Sequence, residues 1–337
     1  MIRAVGVLIA LLWAIAVAVL TFPDFFRVER VAPIAQIIAF RGAIVLVLAA
    51  VAAVSLIALL ARPVRTFAAA ILLVSLAGAL VTGSTLAQRG LGAASLPAKT
   101  ETSVRVLTWN TAGEATSAEE IAQLAVAMAA DIVSLPETTI ETGEAVAIAM
   151  REMGHPMWAH HTDYGGWDAG STTLLIAPEL GDYAVIASSQ DGSSNTSTVP
   201  SAVAMPTSGS GPIVVAAHAV APREGYMADW RSDLQWLADQ CAADSVILVG
   251  DFNATVDHFG GLGVDGGDLG RCTDAASVSG NGAVGTWSTS LPALLGAPID
   301  HVLVTPAWRV SGSLVVTSLD DVGSDHRPLV VQLEPAS

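Results

Sequence analysis

Lysine is almost absent from this chain. Its 337 residues include a single lysine, Lys99, and acidic residues outnumber basic ones by 31 to 15. The imbalance is local: residues 1–100 carry 8 Lys/Arg and 2 Asp/Glu, whereas residues 101–337 carry 7 and 29. Because proteins bind a nucleic-acid backbone largely through Lys and Arg, we do not expect duplex DNA or RNA as a partner. The two parts are expected to occupy different surroundings.

Cysteine is nearly as scarce, with only Cys241 and Cys272. Neither belongs to a CxxC pair, so a structural zinc site is not expected. Two cysteines fit either one disulfide or two buried thiols, and their spacing does not choose between these alternatives.

Charge is missing altogether from three apolar runs in the first hundred residues, at 5–20, 42–61 and 67–87. Each is close to the ~20 residues that span a bilayer as a helix. A cleaved signal peptide is the alternative for the first run, since Arg3 precedes it, but two further runs follow at once. The pattern predicts three transmembrane helices, with residues 1–89 as a membrane anchor. No ionisable residue lies inside a run, so a transport pathway is not indicated.

Residues 90–102, rich in small side chains, are predicted to link this anchor to a second domain. The basic residues flanking the runs nearly balance and do not set the orientation. The acidity of residues 101–337, the lack of lysine and the two cysteines favour the extracellular face of a cell membrane.

Short apolar runs and amphipathic stretches alternate irregularly through residues 103–335, which is typical of a mixed α/β sandwich. Predicted strands cover residues 104–109, 131–135, 172–177, 184–187, 199–205, 212–218, 246–250, 300–305, 314–317 and 329–333. Predicted helices cover 117–130, where Ser117 and Glu120 form a capping box, as well as 142–153 and 227–242.

The most informative stretch is Val246 to Thr255, VILVGDFNAT. A β-branched run predicts a buried strand that ends at Gly250. Asp251 and Asn253 then follow two residues apart, so in an extended segment their side chains would project together. This arrangement suits holding and deprotonating a water beside a metal-bound phosphate. An ordinary Asx turn is the alternative.

Other predicted strands also end in polar residues, which is how a rigid sheet usually presents an active site. Each has a simpler explanation: turn formation, a solvated strand end or a satisfied core histidine. Asp300 is hardest to explain that way, because burying an acid beside a Val/Leu strand is unfavourable unless it is paired. His301, its neighbour, should point to the opposite face and lie outside the site. The candidates are Asn110, Glu137, His218, Asp251, Asn253, Asp300, Asp325 and His326.

The ordered segments RVLTWN, DIVSLPE, AAHAVAP, GDFN, GTWS, PIDHVLV and GSDHRPLVV resemble the endonuclease/exonuclease/phosphatase superfamily, over about residues 103–335. The resemblance implies a four-layered α/β sandwich of two mixed β-sheets flanked by helices, here preceded by the three transmembrane helices. It also implies a hydrolase dependent on Mg²⁺, with Mn²⁺ as a possible substitute.

The resemblance implies a role for each candidate. Glu137 matches the magnesium-binding glutamate, with Asn110 supporting the metal or phosphate and Asp325 as an additional metal-side acid. Asp251 matches the aspartate that orients or deprotonates the attacking water, and Asn253 contacts the phosphate. His326 matches the histidine beside the scissile phosphate, Asp300 the carboxylate that orients it, and His218 a second histidine found in some branches.

Two positions depart from the family pattern: Pro136 stands where glutamine often precedes the metal glutamate, and Ala112 stands where one branch has an acid. The first departure puts the local geometry in doubt, and the second removes one metal ligand. The sequence favours a membrane-anchored phosphoesterase with a monomeric catalytic domain, which hydrolyses a phosphodiester or a phosphomonoester. A phospholipid or a small phosphodiester is the favoured substrate. The alternatives are an extracellular nuclease for short or single strands, and a catalytically silent binding module displayed on the membrane.

Overall fold

The computed structural model describes residues 2–92, 95–165, 167–186, 194–263 and 269–336. Residues 93 and 94 of the predicted linker lie outside these ranges. Contacts divide the chain into two compact units, Met1–Gln88 and Arg89–Ser337.

The first unit is helical: α1 (Ile2–Thr21), α2 (Pro23–Phe26), α3 (Ile34–Ile38), α4 (Arg41–Ala58) and α5 (Arg65–Arg89). Three of its segments are long and apolar enough to cross a membrane, namely Ala4–Thr21, Arg41–Ala58 and Arg62–Arg89. Helices α1 and α5 approach closely at Gly78, where an added Cβ would lie 2.4 Å from Val17 Cγ1. Leu11, Leu12 and Ile15 are exposed on α1, which is compatible with a helix that crosses a membrane.

The second unit contains two six-stranded sheets. The first sheet has the order β11-β12-β1-β2-β4-β3 and the second the order β5-β6-β7-β8-β10-β9. Both are mixed: β1/β2 and β7/β8 are parallel pairs, and the remaining pairs are antiparallel. The predicted sandwich of two mixed sheets flanked by helices is therefore confirmed. The strands are β1 (Val104–Thr108), β2 (Ile132–Pro136), β3 (Trp158–Asp163), β4 (Ser171–Ile176), β5 (Tyr183–Val185), β6 (Ala202–Pro206), β7 (Ile213–His218), β8 (Val246–Asp251), β9 (Thr273–Asp274), β10 (Asp300–Val304), β11 (Trp308–Val315) and β12 (Leu329–Pro335).

The strand periodicity of two builds the core. Ile247 and Val249 of β8 face an apolar layer between the sheets, together with Val106 of β1. Val133 and Leu135 of β2 face the opposite way and pack against helices. These helices are α6 (Ala118–Ala127) and α7 (Ile140–Glu152), while α8 (Met227–Gln240) connects β7 to β8 and α9 (Ala275–Val278) follows β9.

Two local predictions can be compared with the structure directly. Ser117 and Glu120 form the predicted capping box at the start of α6. Cys241 and Cys272 form a disulfide, which chooses between the alternatives left open by their spacing. Two edge strands were not predicted: β9 has only two residues, and the polar sequence of β3, WAHHTD, lacks an apolar run.

The start of the second unit is folded rather than loose. Arg89 pairs with buried Asp257 through two hydrogen bonds, of 2.6 and 2.8 Å. The carbonyl oxygens of Arg89 and Gly90 accept hydrogen bonds from the amides of Gly282 and Ala283. Part of the segment predicted as a linker is thus packed into this unit.

Candidate active site at the facing ends of the two sheets

Three adjacent strands of the second sheet, β7, β8 and β10, place His218, Asp251 and Asp300 side by side at one end of the sheet. Asp251 is the register partner of His218 across the parallel β7/β8 pair. It is also the partner of Asp300 across the antiparallel β8/β10 pair. Since paired residues on neighbouring strands face the same side, two buried carboxylates and an imidazole meet at this sheet end.

The turn after β8 is formed by Gly250 to Asn253. A Cβ on Gly250, whose φ is 155°, would lie 1.9 Å from the carbonyl oxygen of Ala217, so only glycine fits there. The Asn253 amide N–H donates to Asp251 Oδ1 at 2.8 Å, and its Nδ2 donates to Asp251 Oδ2 at 3.1 Å.

Asp251 and Asn253 do not project from an extended segment, and the bond from the Asn253 N–H to Asp251 Oδ1 forms the Asx turn that was the alternative. Asn253 has a φ of 46°, in the left-handed region that asparagine tolerates better than most residues. The turn directs the backbone N–H of Asn253 back to Asp251. The side-chain Nδ2 of Asn253 also donates to the Ala219 carbonyl at 2.9 Å.

The first sheet contributes Asn110, after β1, and Glu137, after β2. Asn110 Nδ2 donates to Glu137 Oε1 at 3.0 Å and to Asp251 Oδ2 at 3.0 Å. One amide therefore joins carboxylates carried by different sheets. Glu137 has a φ of 57°, an uncommon conformation for a non-glycine residue that often occurs at functional sites.

His326 reaches the site from the loop between β11 and β12. Its Nδ1 lies 2.8 Å from Asp300 Oδ2, and its Nε2 lies 3.9 Å from Asp251 Oδ2. A carboxylate only accepts hydrogen bonds when ionised, so Nδ1 carries a proton and Nε2 faces Asp251. The gap between Nε2 and Asp251 is too long for a direct hydrogen bond and lies where a reacting oxygen could bind both.

The loop that carries His326 is held by the end of β1. The Trp109 indole N–H donates to the His326 carbonyl at 2.9 Å. Ser324 Oγ donates to the Asn110 carbonyl at 2.6 Å and accepts from the His326 amide at 3.0 Å. Asn110 and His326 are thus positioned by one hydrogen-bond network.

His218 lies beside Glu137, and Asp325 lies beside His326. His218 is buried, with Nε2 at 3.9 Å from Glu137 Oε1. Asp325 is half exposed, with Oδ1 4.0 Å from His326 Nε2 and Oδ2 accepting from the Trp287 indole at 2.8 Å. All eight sequence candidates are therefore within one connected cluster, whereas His301 lies on the other face of β10.

The electrostatics separate the roles of the buried groups. Burial and the neighbouring Asp300 raise the pKa of Asp251 to about 7, against the opposing effect of His326. Burial lowers the pKa of His326, but Asp300 and Asp251 outweigh it and raise that pKa to about 10. Burial and the charge of His326 lower the pKa of His218 to about 3. Near neutral pH, His326 is a cation, His218 is neutral and Asp251 can exchange a proton, as a general base requires.

Several supporting residues were missed by the sequence reasoning. Arg327, buried beside His326, donates to Asp320 and to backbone carbonyls of the 285–291 loop, including those of Gly285 and Leu291. Trp287, on that loop, holds Asp325. Both residues lie within the GTWS and GSDHRP segments, so the motif positions could have indicated them. Trp230 was also missed: its indole donates to the Asn253 carbonyl at 3.0 Å.

The donor set fits a divalent cation. Oxygens of Asp251 and Asp300 and a ring nitrogen of His326 lie within 4.8 Å of one another. Because the His326 ring is protonated, the two carboxylates are the members of this group that can bind the ion. Glu137 adds a further carboxylate, and its side chain is 27% exposed. Carboxylate and carboxamide oxygens are the hard donors that Mg²⁺ prefers.

Known proteins are similar to this chain in sequence pattern and in fold. The sequence profile of the Endonuclease/Exonuclease/phosphatase family matches residues 107–326. The endonuclease/exonuclease/phosphatase from Beutenbergia cavernae DSM 12333 is 19% identical with a TM-score of 0.51, covering 70% of this chain and 72% of that one. Humanized D. rerio TDP2 with 14 mutations is 12% identical with a TM-score of 0.53, covering 69% and 100%. D. rerio TDP2 in complex with a single-strand DNA product is 13% identical with a TM-score of 0.52, covering 69% and 100%. No curated protein matches the chain.

Proposed function

The chain belongs to the endonuclease/exonuclease/phosphatase family, and we propose that it is a membrane-anchored, Mg²⁺-dependent phosphodiesterase. Members of this family are hydrolases that act on phosphoester bonds and use divalent metal ions. The observation that carries the proposal is the convergence on Asp251 of Asn110 from the first sheet and His326 from the connecting loop. The Asp251 carboxylate then faces both the Asn110 amide, on the side proposed for the metal ion, and the His326 imidazolium.

Asp251 is the general base in this proposal. Its carboxylate is fixed by Asn110 and Asn253, and its raised pKa lets it take a proton from an attacking water near neutral pH. Asn253 lies beside it in a geometry suited to contacting a phosphoryl oxygen.

His326 is proposed to stabilise the phosphoryl oxygens. The ring is protonated, and Asp300 holds it with Nε2–H directed to the cleft, much as a buried acid orients the histidine of a catalytic triad. A fixed cation in a water-poor site stabilises negative charge that develops in the transition state. His218, which is neutral, is proposed as the second histidine that contacts the same phosphate.

Glu137 is proposed to bind the metal ion, with Asn110 supporting it and Asp325 as an additional acid. Asp300 and His326 already hydrogen-bond each other, which makes Glu137 the better anchor for a cation. The bound ion would neutralise charge on the phosphate and polarise its P–O bonds.

A phospholipid or a small phosphodiester is the favoured substrate class. Three apolar helices precede the catalytic unit and support anchoring beside a bilayer. The Cys241–Cys272 disulfide supports an oxidising compartment, and we propose that the catalytic unit faces the outside of the cell as a monomer. Protease added to intact spheroplasts should remove this unit, and protection until lysis would reverse the orientation.

A nuclease for short or single strands is the second candidate. It is favoured by one fold relative, D. rerio TDP2, whose structure contains a single-strand DNA product. The strongly acidic composition of residues 101–337 weighs against duplex nucleic acid but not against a short strand bound through its phosphate.

The full chain, purified in detergent, tests the enzymatic proposal with bis(p-nitrophenyl) phosphate. We expect turnover with Mg²⁺, no turnover after EDTA treatment, and recovery when Mg²⁺ is restored. Parallel incubations with phospholipid vesicles and single-stranded oligonucleotides separate the substrate classes. Absence of turnover of every diester with Mg²⁺ or Mn²⁺ would leave the silent binding module as the better explanation.

A further inference from the structure

β10 carries a second histidine–aspartate pair on the face opposite the catalytic one. His301 Nδ1 lies 2.7 Å from Asp274 Oδ2, and its Nε2 lies 2.9 Å from the carbonyl oxygen of Ala254. His301 is 2% exposed. The reaction proposed above makes no use of this buried pair.

The hydrogen-bond partners of the His301 ring determine where its protons lie. The Ala254 carbonyl can only accept, so Nε2 must carry a proton. The second contact, between Nδ1 and Asp274, holds a further proton on one partner or the other. Asp274 is itself fixed, because its Oδ1 accepts from the Ser277 amide at 2.7 Å as the N-cap of α9.

Two aromatic rings pack against the sides of the His301 imidazole. Phe252 meets the His301 ring edge to face at a centroid distance of 5.4 Å, and Phe259 does so at 5.3 Å. Because the ring is packed on its sides and hydrogen-bonded at both nitrogens, it cannot rotate without breaking several contacts.

The accepting carbonyl belongs to the residue immediately after Asn253, whose left-handed backbone places its amide on Asp251. Trp230 holds the Asn253 carbonyl, and the Phe252 amide donates to Ile299. The Ala254 carbonyl is the next anchor along this turn. The bond from His301 fixes the peptide that follows Asn253 and adds to the contacts that Asn253 makes with Asp251, Ala219 and Trp230.

We propose that His301 is a positioning residue for catalysis: its Nε2–H holds the Ala254 carbonyl and thereby keeps Asn253 and Asp251 in reacting geometry. The proposal rests on the proposed function of the Asp251 site. Asp274 acts by orienting the His301 ring.

Two substitutions at residue 301 separate its two nitrogens. In His301→Gln the side-chain nitrogen can occupy the place of Nε2 and still donate to Ala254. In His301→Asn the nitrogen reaches only the place of Nδ1, and the contact with Ala254 is lost. We expect kcat of the full chain on bis(p-nitrophenyl) phosphate to fall ~10–100-fold in His301→Asn, because a misplaced group is costly even without direct contact with the substrate. His301→Gln should recover most of this loss, with KM unchanged in both.

Val302→Ala is the matched control. Val302 is fully buried in the same strand, and its truncation destabilises the fold by leaving a cavity without touching the turn. Its thermal midpoint should fall while kcat, measured where every variant is folded, stays at the wild-type value. If His301→Asn and His301→Gln lose the same activity, or if Val302→Ala loses as much as His301→Asn, the positioning role is wrong.

Asp274→Asn tests how the ring is held. Asparagine can keep the cap of α9 through its oxygen and donate to Nδ1, leaving Nε2–H on Ala254. We therefore expect kcat within ~3-fold of wild type, whereas Asp274→Ala should lose ~10-fold or more. Equal losses in both variants would show that the negative charge, and not the orientation of the ring, is what matters.

A spectroscopic readout decides the proposal without relying on turnover. The chain has four asparagines, Asn110, Asn195, Asn253 and Asn281, so ¹⁵N-asparagine labelling gives four side-chain amide pairs. His301→Asn adds one further pair, which is identified by its absence from wild type. The Asn253 pair should shift in His301→Asn and not in His301→Gln, with Asn195 as an unchanged reference. An unmoved Asn253 signal in His301→Asn would overturn the proposal, even if the wild-type protein hydrolysed no substrate and the proposed function had failed.

Discussion

The two sheets of the second unit contribute different chemistry to one site. The first sheet supplies Asn110 and Glu137, an amide and a partly exposed carboxylate suited to a cation. The second sheet supplies His218, Asp251 and Asp300, which are buried and whose charges strongly affect one another. Loss of a group from the second sheet should therefore remove proton transfer, whereas loss from the first should weaken metal binding.

Asp251→Asn should produce the largest loss, because it removes the proposed base from the second sheet. We expect kcat to fall ~10²–10⁴-fold, the usual contribution of general acid–base catalysis. The measurement is turnover of a phosphodiester at saturating Mg²⁺, with circular dichroism as a folding control. Activity close to wild type would remove the central assignment.

Asp300 and His326 form the link between the second sheet and the loop, so their losses should not add. We expect His326→Ala to cost ~10²–10³-fold in kcat, comparable to the loss of an oxyanion donor. Asp300→Ala should cost less, and the double variant little more than His326→Ala. A double-mutant cycle in kcat measures this coupling, and fully additive losses would show that the two residues act separately.

The pH profile examines the second sheet without mutation. Asp251 must be ionised to accept a proton, and its pKa is raised to about 7, so activity should fall ~10-fold per pH unit below that value. His326 must stay protonated, and its pKa of about 10 places the loss on the alkaline side near that pH. A flat profile between pH 5 and 8 would contradict the assignment of Asp251 as base.

Glu137→Gln should have the smallest effect on turnover at saturating metal. It removes a full negative charge from the first sheet while keeping the shape of the side chain. We expect the Mg²⁺ concentration for half-maximal activity to rise ~10-fold or more, with kcat largely recovered at high Mg²⁺. An unchanged titration would mean that Glu137 is not a ligand, and a loss confined to kcat would place it with the second sheet.

Sequence alone located the strand ends because each combines an apolar run with an abrupt polar residue, as at Leu135-Pro136-Glu137. It could not foresee the conformation of Asn253, since a left-handed residue in a short turn leaves no periodic signal. Arg327 and Trp287 were overlooked for another reason. The contact between Trp287 and Asp325 spans 38 positions of the chain, and the contact between Arg327 and the Gly285 carbonyl spans 42. These contacts form only once distant loops meet. Edge strand β3 has the opposite difficulty, since too little of it is buried to require apolar residues.

The pairing of Arg89 with Asp257 determines where an N-terminal truncation of this protein should begin. Composition suggests starting a soluble version near Thr102, after the small-residue segment. Such a truncation would discard two short charge-assisted hydrogen bonds to a buried carboxylate, only six residues beyond Asp251. It would also strip the backbone partners of Gly282 and Ala283. An expression clone that begins at Gln88 retains all of these contacts and is the sounder starting point for crystallisation.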